Sequence, residues 1–98
     1  MKIRIGSHLV NVIEQRLPTD ENCDGLTDWD DSTILIEANL SDTAFTATLI
    51  HEILEFINEC TDELIFPPNE ENKEQKISTL AEFLVPMMKD SFTRRDKQ

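Results

Sequence analysis

The segment from Thr43 to Cys60 constrains the fold most, because it is long, contains no glycine or proline, and has the pattern of an amphipathic helix. Apolar side chains recur at helical spacing and cover about half of the circumference. They are Phe45, Leu49, Ile50, Ile53, Leu54, Phe56, Ile57 and Cys60. Either Ser41 or Asp42 can cap the start of this helix. We therefore expect a helix over this range, with its apolar half in the core.

The remaining segments predict an α+β fold in which short antiparallel N-terminal strands are followed by two packed helices. The predicted elements are a hairpin over 2–13, short strands over 26–29 and 33–37, the helix over 43–60, and a second helix over 70–92. A helix from Leu9 to Leu17 is an alternative to the second strand of the hairpin. Pro86 lies inside the second helix and is expected to kink or interrupt it near Glu82. Residues 1–92 should form a single domain, and residues 93–98 a charged flexible tail.

The chain is strongly acidic, and this charge limits its partners. Its 98 residues include 20 acidic and nine basic side chains, for a net charge of −11. Such a balance repels phosphates, and we expect no direct nucleic-acid binding. It suits a metal cation, a basic protein partner, mimicry of nucleic-acid charge, or simple solubility.

Membrane and export signals are weak in this sequence. The N-terminal stretch MKIRIGSHLV lacks the apolar core of a signal peptide, and no apolar run approaches the length of a membrane span. Cys23 and Cys60 form no CxxC pair. We therefore expect a cytoplasmic protein with reduced thiols and no membrane association.

The polar half of the first helix carries side chains that can bind a cation. His51 and Glu55 are four residues apart and lie about 40° from each other around the helix, with Glu52 beside them. The motif H-E-x-x-H uses such a face to hold zinc through two histidines, with the glutamate as general base. Here Glu55 replaces the second histidine. Zinc also accepts carboxylate oxygen, although the exchange gives a harder and more anionic site that is open to other divalent cations. The alternative is an ordinary solvated helix face.

Glu74 is the candidate for a third metal ligand. It precedes Ile77 by three residues and Ala81 by seven, so it falls within the apolar stripe of the second helix. Since a charged side chain is rarely buried without a partner, we expect it to face a cation held by His51 and Glu55. The alternative is a first-turn glutamate favoured by the helix dipole.

The acidic segment Asp20–Asp31 has two interpretations. Its oxygen-bearing side chains and Gly25 match much of the ligand pattern of a calcium loop. However, Asp31 stands where a bidentate glutamate is usual, and no pair of helices flanks the segment, so an acidic surface turn closed by Gly25 is favoured. Trp29, the only tryptophan, is either a core side chain or an exposed contact, and the core position is favoured.

Four stretches carry a resemblance to a known family. KIRIG at 2–6 is followed by GLTDWDDSTILIEANL at 25–40, TLIHEIL at 48–54 and EQKISTLA at 74–81. In this order the string is similar to very small, phage- and prophage-encoded zincin-like proteins. More distantly it resembles the ImmA/IrrE-type metallopeptidases, whose later helix often ends in A-E-L-L-M-P. AEFLVP at 81–86 is similar to that ending.

The resemblance implies a minimal zincin-like fold in which His51, Glu55 and a later acidic residue, here Glu74, hold zinc. Glu52 would then be the catalytic residue that takes a proton from water and passes it to the leaving amine during peptide hydrolysis. The chain departs from the zincin pattern at Glu55, and this departure implies weak or lost peptidase activity. The implied partner is a peptide or a host protein, in the host cytoplasm if the protein is phage-encoded.

A second hypothesis comes from the negative charge rather than from the motif. An acidic phage-type protein can bind and inhibit a host factor through its negative surface, without catalysis and without metal. The two hypotheses are compatible, because a zincin-like protein that has lost its activity can still serve as a binding scaffold. Metal content is the property that separates them.

Overall fold

The structure of the protein, a computed structural model, describes residues 1–18 and 24–88. Within these ranges the chain forms a sheet and then two helices. The elements are β1 (Lys2–Ile5), β2 (His8–Gln15), β3 (Gly25–Asp28), β4 (Thr33–Glu37), α1 (Asp42–Cys60) and α2 (Lys73–Met88). The predicted α+β class is confirmed. The predicted tail at 93–98 lies outside the described residues.

The strands form one mixed sheet in the order β1-β2-β4-β3. The two hairpins, β1 with β2 and β3 with β4, are antiparallel as expected. The central pair, β2 with β4, is parallel, so that Val12 lies opposite Ile34. The alternative helix over 9–17 does not form, because β2 alternates in burial and turns the β-branched Val10 and Val12 inward.

One face of this sheet packs against α1 and makes the core. Alternate residues of β2 and β4 meet the apolar face of α1. The buried cluster consists of Val10, Val12, Ile34, Ile36, Phe45, Leu49 and Phe56. The Ser41 hydroxyl caps α1 by accepting a hydrogen bond from the backbone N–H of Ala44 at 3.1 Å. Within the described residues, neither helix has the length and apolar character needed to cross a membrane.

Three expectations, two about buried residues and one about the second helix, differ from the structure. Cys60 is exposed, because it lies at the last position of α1, beyond the sheet. Trp29 is 39% exposed, since the turn between β3 and β4 places it at the rim, where its ring lies 5.3 Å from that of Phe56. The second helix begins at Lys73 rather than Glu70 and continues through Pro86 to Met88. Residues 89–92 of its predicted range lie outside the described residues.

A buried asparagine fixes the connection between the two helices. The side chain of Asn58, only 4% exposed, donates to the Phe66 carbonyl at 3.0 Å and accepts from the Phe66 N–H at 2.7 Å. Both backbone groups of Phe66 are thereby satisfied away from water. Phe66 is buried, whereas Leu64 and Ile65 before it are exposed. Asn58 therefore sets the path of the chain that leads into α2.

We expect Asn58→Ala to lower the free energy of unfolding by about 2–4 kcal/mol, because it leaves two buried backbone groups unpaired. Alanine is the better helix former, so a loss cannot be attributed to helix propensity. Urea denaturation measures the change, and the exposed Asn69→Ala is the matched control. Equal stability of the two variants would contradict this account of the loop.

Candidate metal centre

An open cleft of about 620 Å³ lies between β3, α1 and α2. Polar side chains from all three elements line it. They include Thr27 of β3, Thr48, His51, Glu52 and Glu55 of α1, and Glu74, Ser78 and Glu82 of α2. The predicted site residues are thus brought to one place, although they come from two separate helices.

Glu52 forms the inner wall of the cleft and is buried, with 6% of its surface exposed. The Thr27 hydroxyl donates a hydrogen bond to its Oε1 at 2.5 Å. Burial raises the pKa of the Glu52 carboxyl above its ordinary value, and the bond from Thr27 acts in the opposite direction. Glu52 is therefore a carboxyl group held in one orientation, with only part of it open to the cleft.

Gly25 allows α1 to come close enough to β3 to bury Glu52. A Cβ atom at this position would lie 2.9 Å from Cγ2 of Thr48 and 3.0 Å from Cγ of Glu52. Any side chain at position 25 would push the helix outward. The glycine predicted to close a surface turn instead begins β3, directly beneath the helix.

His51 lies at the centre of the polar group, and both of its ring nitrogens have partners. Its Nε2 lies 2.8 Å from Oε2 of Glu55 and 3.2 Å from Oε1 of Glu74. Its Nδ1 lies 3.2 Å from the Ser78 hydroxyl. The hydrogen bond with Glu55 raises the pKa of His51 above its ordinary 6.5, and partial burial opposes this shift. The face formed by His51 and Glu55 is therefore covered by α2 rather than solvated.

The two carboxyl groups around His51 influence each other. The hydrogen bond with His51 lowers the pKa of Glu55. Loss of hydration beside α1 raises the pKa of Glu74, and so does its hydrogen bond with Glu55. A hydrogen bond between two carboxyl groups requires a proton on one of them. The pKa values of the two carboxyl groups are therefore shifted in opposite directions, that of Glu55 downward and that of Glu74 upward.

Glu74 reaches the centre from an exposed position. Its side chain is 67% exposed, so the expectation that it lies within the buried stripe of α2 is wrong. Only Ile77 and Ala81 of α2 are buried among the described residues, because the stripe that faces α1 is narrow. Glu74 lies at the edge of this stripe, and its carboxylate still contacts His51.

The donor atoms fit a small divalent cation. Ligand atoms of His51, Glu52 and Glu55 all lie within 4.8 Å of one another, and this group could hold a metal ion. Two ligand atoms about 2.0–2.1 Å from a tetrahedral zinc ion lie about 3.3 Å apart. The separations of His51 Nε2 from its two carboxylate neighbours, 2.8 and 3.2 Å, are close to that value. Imidazole nitrogen with carboxylate oxygen suits zinc and harder divalent ions alike.

Thr27, Ser78 and Gly25 belong to this site, although none of them was among the predicted site residues. Ser78 follows Glu74 by four residues, and that spacing alone places both on one face of α2. Thr27 and Gly25 gave no local signal, because their role comes from contact with a distant helix. Such contacts can be identified only from the tertiary structure.

The described part of the acidic segment forms a strand and a turn. Gly25–Asp28 pairs with β4, and Oδ1 of Asp28 accepts a hydrogen bond from the backbone N–H of Asp31 at 3.2 Å. Of the five proposed calcium ligands (Asp20, Asn22, Asp24, Asp28 and Asp31), Asp20 and Asn22 lie outside the described residues. The calcium interpretation stays untested, and the candidate metal centre lies elsewhere, on α1.

Comparisons with models of protein families, with curated proteins and with solved structures found no match. The zincin-like resemblance therefore rests on the sequence motifs described above. The chemistry of the site has to be inferred from the positions of its own side chains.

In the metal-free protein, we expect His51 to make the free energy of unfolding fall as the pH rises above 6.5. Its pKa is raised in the folded state, so its contribution is fully present below 6.5 and is lost as the pH rises through the raised value. Urea denaturation with a chelator at several pH values measures this trend.

His51→Ala should flatten this trend, whereas Thr79→Ala, which removes an exposed side chain without charge, should leave it unchanged. The same slope in wild type and His51→Ala would show that the contact between His51 and Glu55 does not stabilise the fold.

Proposed function

We propose that the protein is a minimal zincin-like metalloprotein in which His51, Glu55 and Glu74 hold a divalent cation, zinc in the first instance. The observation that carries this proposal is the approach of two carboxylates from different helices to one imidazole nitrogen, at 2.8 and 3.2 Å. On an ordinary solvated helix face, His51 and Glu55 would face water and would have no partner on a second helix. The resemblance of the TLIHEIL and EQKISTLA segments to zincin-like proteins supports the same assignment.

The cation would supply Lewis acidity, which polarises a peptide carbonyl and makes water easier to deprotonate. Glu52 is suited to move the proton, because its side chain lines the cleft and Thr27 holds its Oε1 in place. Burial raises the pKa of Glu52, which makes it a better proton acceptor than an exposed carboxylate. The reaction class that these roles support is peptide hydrolysis.

Glu55 should make this reaction slower than in a site with two histidines. A carboxylate donates negative charge to the cation and weakens its pull on a carbonyl oxygen, whereas imidazole is neutral. With Glu55 and Glu74 together, the charge of a divalent cation is already balanced. We therefore propose a peptidase of weak or lost activity that keeps its cation.

An acidic binding protein is the second candidate function. The net charge of −11 favours a basic partner, and five of the 20 acidic side chains line the cleft. A binding function does not require Glu52 to move a proton. The two candidates therefore differ in what substitution of Glu52 does.

We expect the purified protein to bind about one zinc ion per chain, measured by elemental analysis and by titration. His51→Ala with Glu55→Ala should abolish binding, because it removes two of the three proposed ligands. Glu59→Ala, which removes an exposed carboxylate from the same helix, is the matched control and should bind like wild type.

A chelator should lower the melting temperature of the zinc-loaded wild type, since a cation that binds only the folded state stabilises it. It should leave the double variant unchanged. Wild-type protein that purifies without metal, takes up no zinc and melts identically with and without chelator would contradict the metal proposal.

Glu52→Gln should reduce hydrolysis of a fluorogenic peptide library by at least about 100-fold and leave zinc stoichiometry unchanged. Glutamine has the shape of glutamate and can still accept the bond from Thr27, but it cannot take a proton. Glu59→Gln is the matched control.

Equal hydrolysis by the Glu52→Gln variant would show that Glu52 is not the proton carrier. A zinc-loaded wild type that hydrolyses no peptide at all would show that the centre keeps its cation but has lost its activity, so that binding would be the function that remains.

A further inference from the structure

We propose that Ser78 is a positioning residue for His51, and that its hydroxyl lets the imidazole change which nitrogen carries the proton when a cation binds. The inference rests on the proposed function and gives Ser78 a role in it. The second helix, α2, then contributes two residues to the centre, Glu74 as a ligand and Ser78 as a positioning residue.

The two nitrogens of His51 face different partners. Nε2 faces the carboxylates of Glu55 and Glu74, whereas Nδ1 faces the hydroxyl of Ser78 at 3.2 Å. Ser78 and Glu74 are four residues apart on α2 and lie on the same side of that helix. One helical turn of α2 therefore contacts both nitrogens of the ring and fixes its plane.

The metal-free and metal-bound states require opposite roles of Nδ1. Without a cation, Nε2 beside two carboxylates carries a proton and donates it in a hydrogen bond to Glu55. In the neutral ring Nδ1 is then an acceptor, and the Ser78 hydroxyl donates to it. With Nε2 bound to a cation, the remaining proton is on Nδ1, which donates to the Ser78 oxygen.

A hydroxyl group is suited to this exchange, because it can rotate and either donate or accept. An ammonium group can only donate, and a carboxylate only accepts. Ser78 is therefore compatible with both states of His51, and it keeps the ring directed at the cation in each of them. Partners of this kind commonly change metal affinity by 10–100-fold.

The test compares zinc affinity in three variants, by competition with a chromophoric chelator. Ser78→Ala should weaken binding by about tenfold, at the lower end of the range for such partners. Ser78→Thr restores the hydroxyl and should recover most of the affinity. Thr79→Ala removes a neighbouring exposed hydroxyl from the same helix and should have no effect.

A second measurement reports the ring itself. The chain has two histidines, so nitrogen NMR of histidine-labelled protein resolves His51 from His8. At a pH where the ring is neutral, zinc should convert His51 in wild type and Ser78→Thr from an Nε2-protonated ring to an Nδ1-protonated ring bound through Nε2. In Ser78→Ala, the zinc-loaded protein should show a second population bound through Nδ1, or exchange broadening.

The outcomes separate this inference from the proposed function. Full zinc affinity in Ser78→Ala, together with an unchanged His51 spectrum, would overturn the role of Ser78 and leave the metal centre intact. A loss of affinity that Ser78→Thr does not recover would overturn it as well, because the hydroxyl would then not be the cause. Failure of wild type to bind zinc would overturn the proposed function, and this inference with it.

Discussion

The close approach of α1 to β3 is the contact on which the rest of the site depends. It occurs at Gly25, where a Cβ atom would come within 3.0 Å of two side chains of the helix. At this distance Thr27 can donate a hydrogen bond to Glu52, and the carboxyl group is enclosed between helix and strand. Because Glu52 is fixed inward, His51 and Glu55 are turned toward the cleft and α2. The orientation of α1 therefore comes from a polar contact as well as from its apolar face.

The second helix places polar and charged side chains against those of the first helix. His51 and Glu55 on α1 face Glu74 and Ser78 on α2, and each pair has a spacing of four residues. Asn58 controls this match, because its two hydrogen bonds to Phe66 direct the chain into α2. A loop that followed another path would separate Glu74 from His51. A buried amide at the end of α1 thus supports a charged group one to two turns earlier in the same helix.

The helices and hairpins could be predicted from local patterns, because caps, periodicity and turns act over a few residues. Ser41 caps α1, and the helix ends at Cys60 as its apolar spacing indicates. The parallel pairing of β2 with β4 could not be predicted in this way, since it joins strands separated by a long acidic segment and a third strand. The position of Trp29 could not be predicted either. Its size suggested the core, but the turn after β3 holds it at the rim.

The site was also only partly predictable, because some of its contacts are local in the sequence and others join distant elements. The spacing of His51 and Glu55 places them together in any helix, whereas the burial of Glu52 depends on Gly25 and Thr27, which lie on another element. Glu74 was selected because a charge in an apolar stripe needs a partner. Its side chain is in fact mostly exposed, yet it contacts His51. The premise about burial was wrong, and the pairing still followed from the position of Glu74 on the face of α2 that meets α1.

The replacement of histidine by Glu55 changes what a cation at this site must displace. With two histidines, a metal ion competes with protons for one ring nitrogen of each histidine. Here Nε2 of His51 already has two carboxylate partners, Glu55 at 2.8 Å and Glu74 at 3.2 Å. A cation can bind Nε2 only after that atom has lost its proton, so the apparent affinity should rise with pH through the raised pKa of His51. At such a site a cation and a proton compete for the same atoms. The negative charge of the site attracts both, so the cation is favoured only at higher pH.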